Sequence, residues 1–181
     1  MEPPLGPLED EHWAPDHIVL ARRVLTYAGR LFVEREADGS VLLHSPLEDM
    51  AAVEQRYPAW ALGPFGRIEP EFALPDRPGV YALVSEGVVH YVGATASLER
   101  QFGQRHGLGH VSRRDCTHRR GEEVCRLNRL ITADAVGGRT VDLYVIALEP
   151  RRWYGARRGE APTAVAAEIV AASRGDWHLP E

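Results

Sequence analysis

The order of apolar and polar positions changes several times along the chain, and each change marks an element. Residues 16–28, DHIVLARRVLTYA, read as a helix with Asp16 as its N-cap. GRLFVEREADGSVLLH follows as two β-rich runs around Asp38-Gly39, a hairpin signal. PLEDMAAVEQRY, residues 46–57, reads as a second helix, with acids in its first turn where the helix dipole favours them. Pro58, Pro64, Pro70 and Pro75 then interrupt any regular pattern, so 58–77 is expected to be a connection. Two apolar runs, 79–85 and 88–92, flank Glu86-Gly87 and predict a tight hairpin. A helix is expected from about 96 to 106, then an Arg- and His-rich loop over 107–120. A longer helix over 121–136 stops at Gly137-Gly138. TVDLYVIAL, 140–148, reads as a strand, and a loop at 149–162 leads into a last helix over 163–173, with Pro162 and Thr163 near its start. Residues 1–14 read as a loose tail.

The 181 residues suffice for one domain, or one domain with a sizeable extension, and an apolar content of 44% is enough for a core. No run approaches the ~20 apolar residues of a membrane span, so no membrane partner is expected. The acidic, Pro-rich start MEPPLGPLEDEHW lacks the basic and apolar regions of a secretory signal. Two cysteines are too few for a disulfide framework, so a cytoplasmic protein with reduced thiols is expected.

Every one of the 21 basic side chains is Arg, a usage that a GC-rich coding sequence explains without invoking phosphate. Their distribution says more. Residues 1–76 carry a net charge of −8 and residues 77–181 a net charge of +3, with eight Arg against four acids inside 99–129. The overall charge of −5 argues against generic coating of nucleic acid, whereas a local basic patch suits one anionic ligand site. The expected organisation is an acidic extension or small subdomain at 1–76 and a second unit at 77–181.

Gly79-Val80-Tyr81 and Tyr91-Val92-Gly93 sit on the two strands of the central hairpin, each pairing a Tyr with a Gly across a Val. Leu98 follows at the spacing of YIGxTxxLxxR, and Glu168 on the last helix precedes Gly175-Asp176-Trp177-His178. The middle segment VSRRDCTHRRGEEVCRLNRLI carries two Cys and an Asn-Arg-rich stretch. Taken in order over about 79–178, these residues resemble the GIY-YIG nuclease family, and in particular a bacterial branch with a paired-Cys central segment. The resemblance implies an α/β (α+β) fold with a small central sheet of about three strands flanked by helices, here with an N-terminal α/β extension. It implies a metal-dependent endonuclease acting on phosphodiester bonds in DNA, RNA not being excluded, in restriction, defence or repair. It also implies one divalent cation, Mg²⁺ or Mn²⁺, held by Glu168, with a Tyr in the base role and an Arg on the phosphate.

Elementary chemistry fits that implication. A nuclease must position water in line and stabilise the leaving alkoxide. A free phenol titrates near 10, so Tyr81 or Tyr91 acts as a base only if a nearby cation lowers its pKa. Gly79 and Gly93 would let another backbone, or a phosphate, approach closely. The competing reading makes both tyrosines ordinary strand formers.

The chain departs from the family pattern at one position. The family's catalytic Arg lies ten residues after the first Tyr of the second string, and Gln101 stands there. Arg100 precedes it by one residue, which turns a helical side chain by about 100°. Arg105 and His106 follow about one helical turn later. Three arrangements compete: Arg100 restored by a shifted helix start, Arg105 reaching in from the face of Gln101, or a genuine Gln101 with poor or lost cleavage. His106 is a candidate proton carrier. Arg113, Arg114, Arg119, Arg120, Arg126 and Arg129 are candidates to line a nucleic-acid groove, with Asn128 on the same face. His110, Cys116, His118 and Cys125 include good zinc ligands, but at a spacing unlike a common finger, so small buried thiols are the default over a structural Zn²⁺. Competing functions are a GIY-YIG-fold nucleic-acid-binding protein without turnover, or the same fold on a non-DNA substrate; a homodimer is compatible with either.

Overall fold

A computed structural model describes residues 12–149 and 159–172. It is a mixed α/β structure around one curled antiparallel sheet. The strands are β1 (His17–Leu20), β2 (Arg23–Val33), β3 (Ile68–Pro70), β4 (Gly79–Ser85), β5 (Val88–Thr95) and β6 (Val141–Ala147). The helices are α1 (Val53–Arg56), α2 (Leu98–Gln101), α3 (Arg113–Thr117), α4 (Glu122–Val136) and α5 (Pro162–Ala172). The strand order is β1-β2-β6-β4-β5, with β3 also paired to β2. No described helix is long and apolar enough to cross a membrane.

The sheet has six strands rather than about three, because β1, β2 and β3 join it, and residues 17–28, where the sequence suggested a helix, are part of the β1–β2 hairpin. Ala21 and Arg22 make its two-residue turn, both at positive φ (47° and 64°), and Leu20 pairs with Arg23. Such turns usually carry Asn or Gly; Ala-Arg gives no such signal. What stabilises the strand is its neighbour: Thr26 pairs with Val145 and Tyr27 with Tyr144, and the pairing lets β2 bury Leu25, Leu31 and Val33 in the core. Residues before 77 thus supply three strands of the same sheet that holds the Gly–Tyr hairpin.

Other helices are shorter than expected. Over 46–57 only Val53–Arg56 is helical, because Ala52 at φ 53° interrupts the run. Over 96–106 only Leu98–Gln101 is helical. The chain then folds back on that turn, with Leu108 N–H donating to the Gln101 carbonyl at 2.7 Å and Gly109 N–H to that of Gly103 at 3.2 Å. Gly107 permits this, since a Cβ there would overlap the Arg100 carbonyl. The expected loop at 107–120 contains α3, capped reciprocally by Ser112 and Asp115. The hairpin at 79–95, α4, β6 and α5 lie close to the expected positions; Glu86 and Gly87 both take positive φ in the β4–β5 turn.

Alternation along the strands divides the core into two layers. Tyr81, Leu83 and Tyr91 face α2 and α4, packing with Leu98, Phe102, Leu108, Leu127 and Ile131. Val80, Ala82, Val84, Val92 and Tyr144 face the other way, onto Val165, Ala166 and Ile169 of α5. A third cluster joins Leu47, Ala61 and Phe65 to Val111, Cys116 and Cys125.

Candidate functional site

The two tyrosines of the hairpin meet. Their ring centroids are 6.0 Å apart, and Phe102 meets the Tyr81 ring edge-on at 5.1 Å. Gln101 Nε2 donates to the Tyr81 hydroxyl at 3.2 Å, and Tyr91, packed beside Tyr81, donates to Glu123 Oε1 at 2.7 Å. A chain of four polar side chains thus runs from α2 through the sheet to the first turn of α4. The Arg126 guanidinium lies 6.0 Å from the Tyr91 ring centre. Tyr81 is fully buried and Tyr91 nearly so. Burial first raises both phenols well above the usual value; Tyr91 and then Glu123 add to it at Tyr81, and Glu123 at Tyr91.

The motif glycines make room for these rings and for the sheet. A Cβ on Gly93 would sit 2.5 Å from Tyr81 Cζ and Oη, and one on Gly79 would meet the Ile146 carbonyl at 2.5 Å and Leu98 Cδ1 at 2.8 Å. What approaches closely is the Tyr81 ring at one glycine, and strand β6 with Leu98 at the other.

Glu168 does not join the phenols. It lies on α5, the helix packed against the opposite face of the sheet. There Arg23 of β2 donates to Glu168 at 2.9 Å and grips Glu160 with two bonds of 2.6 and 2.7 Å. A carboxylate engaged by a guanidinium across the sheet from Tyr81 and Tyr91 does not fit the role of metal ligand for chemistry at the phenols. Glu123 is the acid that stands at them, and sequence reasoning missed it: a first-turn glutamate of a helix looks like a dipole partner, and only the strand opposite α4 reveals its contact with Tyr91. Among the described residues no three His, Cys, Asp or Glu side chains gather into a metal site. Glu123, exposed and single, fits only a hydrated cation that takes its remaining ligands from water and substrate phosphate.

From α2 it is Gln101 that reaches Tyr81. Arg100 turns outward, 79% exposed, with Asp76 at 3.7 Å, and Arg105 is exposed. His106, exposed and at φ 60°, lines two adjoining clefts. One is walled by Asp76, Thr95, Ser97, Arg100 and Gln101. The other, about 490 Å³, is walled by Arg114, Asp115, His118, Arg119, Arg120 and Val124. Among the described residues, the side chains of Arg114, Arg119 and Arg120 make no ion pair or hydrogen bond, so their charge is available to a ligand.

The remaining candidates have structural partners. Arg113 Nε donates to the Pro46 carbonyl at 3.0 Å and Arg129 Nη1 to that of Ala59 at 2.9 Å. Asn128 is fully buried, away from the arginine face: it accepts from Gly66 N–H and donates to the Gly66 and Leu108 carbonyls. It ties the loop before β3 to α4. Cys116 and Cys125 are buried in one cluster as free thiols, while exposed His118 bonds the Arg114 carbonyl. The segment 175–178 lies outside the described residues.

Neither protein-family models, curated proteins nor solved structures yield a match to this chain. The likeness to GIY-YIG nucleases therefore rests on its motif residues.

Proposed function

We propose that the protein is a divalent-cation-dependent endonuclease of GIY-YIG type that hydrolyses phosphodiester bonds in DNA, in restriction, defence or repair. The observation that carries this reading is the line Gln101–Tyr81–Tyr91–Glu123, with α2 and α4 also bordering clefts that hold Arg100, His106, Arg114, Arg119 and Arg120. The arginines neutralise strand phosphates on either side of the scissile bond. A Mg²⁺ or Mn²⁺ ion at Glu123 would offset charge on the scissile phosphate and the leaving oxygen. Glu123 accepts the hydrogen bond that orients the Tyr91 hydroxyl, and Gln101 fixes the Tyr81 hydroxyl. Burial first keeps both phenols protonated, and a cation at Glu123 would offset the carboxylate's share of that effect, so turnover is expected to depend on it.

Nicking of supercoiled plasmid with Mg²⁺ or Mn²⁺ tests the proposal. Wild type cleaves, Tyr91→Phe and Glu123→Ala do not, and Glu168→Gln does. Failure of the wild type to cut any DNA or RNA overturns it. A second reading, nucleic-acid binding without turnover, is favoured by the neutral Gln101 at the family's Arg position and by the Arg23–Glu168 pair. Salt-sensitive DNA binding by a protein that never nicks selects it, and Gln101→Arg would then gain cleavage if the missing cation is what limits the rate.

A further inference from the structure

Beyond the clefts at His106 lies a larger cavity of about 600 Å³, lined by Phe32, Val33, Glu34, Arg67, Glu69, Gln104 and His110. Its volume is in the range of small-molecule sites, roughly 300–1,000 Å³. We infer that this cavity binds a single nucleobase bearing an exocyclic amine, delivered either as a free nucleotide or as a base turned out of a strand.

The lining selects a flat, polar-edged, uncharged ligand. Phe32 is 46% exposed, and the Arg30 guanidinium lies 4.7 Å from the ring centre. Arg30 is itself held by Glu71 through bonds of 3.2 and 3.1 Å, so the ring is braced from behind. Stacking on such a ring is tolerant of base identity because every base has a π-face. The acceptors around it decide which edge is read. Glu69 pairs with Phe32 across the β2–β3 ladder, and its carboxylate has no partner among the described residues. Gln104 donates its Nε2 to the Ile68 carbonyl at 2.9 Å, leaving its amide oxygen unpaired. His110 stacks on His44 at 4.9 Å, and its Nδ1 is buried without a partner. Burial, with His44 and Arg67 beside it, lowers the His110 pKa and keeps the ring neutral.

Charge excludes the phosphate itself from this cavity. Two carboxylates face one arginine, and Arg67 lies 3.8 Å from Glu34. Unpaired acceptors on Glu69 and Gln104 call for N–H donors on an edge free of flanking carbonyl pairs: guanine, adenine and cytosine offer an exocyclic amine, whereas thymine offers one ring N3–H between two carbonyls that the Glu69 carboxylate repels. The loop that carries Gln104 and His110 also carries His106 of the basic clefts, so a strand lying in those clefts passes close to this cavity. That delivery route rests on the nuclease reading; recognition of the base does not.

Saturation-transfer NMR with millimolar deoxynucleosides tests recognition directly. Deoxyguanosine, deoxyadenosine or deoxycytidine should receive markedly more saturation than thymidine, which stacking alone would hold. Phe32→Ala and Glu69→Gln, both at exposed positions, should weaken binding about tenfold or more while the melting temperature changes little. Absence of transfer to every nucleoside, or equal transfer to thymidine, overturns the proposal whether or not the protein cleaves DNA. A 2-aminopurine oligonucleotide separates the sources: a fluorescence change on binding that Phe32→Ala abolishes assigns the base to a strand, and binding of nucleosides alone assigns it to a free nucleotide.

Discussion

Gly93→Ala isolates what the second motif glycine does. The φ of Gly93 is not in the left-handed region, so alanine suffers no backbone penalty there. The whole effect is steric. The new methyl would sit 2.5 Å from Tyr81 Cζ and Oη and 2.8 Å from Cε1, against ordinary contacts of about 3.5–4.0 Å. The ring must therefore shift by roughly 1 Å. It has nowhere to go, being fully buried between Phe102 and Tyr91 and hydrogen-bonded to Gln101. Overpacking of this kind costs about 1–3 kcal/mol, and a disturbed hydrogen bond adds about 1 kcal/mol. For a chain of this size the expected loss of about 2–4 kcal/mol lowers the melting temperature by roughly 5–15 °C. Gly87→Ala is the opposite case: φ is +76° with no atom within 4 Å of the added carbon, so only backbone strain of about 1–2 kcal/mol applies. Urea denaturation of both variants, and of Gly93→Ala in a Tyr81→Leu background, measures the terms separately. The shorter side chain vacates the space, so the Gly93→Ala penalty should shrink there. An effect below about 0.5 kcal/mol in the wild-type background, or an equal penalty in both, would refute the argument.

Asn128→Ala leaves the polar groups of Gly66 and the Leu108 carbonyl buried without their partner, and should cost about 2–5 kcal/mol in chemical denaturation while DNA affinity of the folded protein is unchanged. Arg114→Ala, Arg119→Ala and Arg120→Ala should each reduce the slope of log affinity against log salt by about one in a DNA titration, with stability unaltered. Tyr81 and Tyr91 hold their protons more tightly folded than unfolded, so the folded state gains from them below the unfolded value near 10 and loses that advantage as pH rises through it. Unfolding free energy should therefore fall above about pH 10 by up to about 1.4 kcal/mol per pH unit for each phenol, and Tyr91→Phe should flatten the decline. Glu168→Gln should change stability by less than about 1 kcal/mol, since Arg23 keeps its two bonds to Glu160 and the pair is half exposed.

The sequence alone determined the elements whose signals are local. The Glu86-Gly87 turn, the Gly137-Gly138 stop of α4 and the apolar run of β6 all fall where the pattern predicts, because turn chemistry and helix termination act within a few residues. The meeting of Tyr81 and Tyr91 follows from their positions on adjacent strands of one hairpin. Tertiary structure decided the rest. Residues 17–28 became strands rather than a helix because β6 offered a pairing edge that no window of sequence contains, and their Ala-Arg turn carried no glycine to announce it. Glu168 and Glu123 are both helix-borne acids in sequence. Which of them reaches the phenols depends on which face of the sheet each helix covers, and that is fixed by long-range packing of α4 on one layer and α5 on the other. Asn128 looks like a surface polar residue among arginines until the loop at Gly66 closes over it.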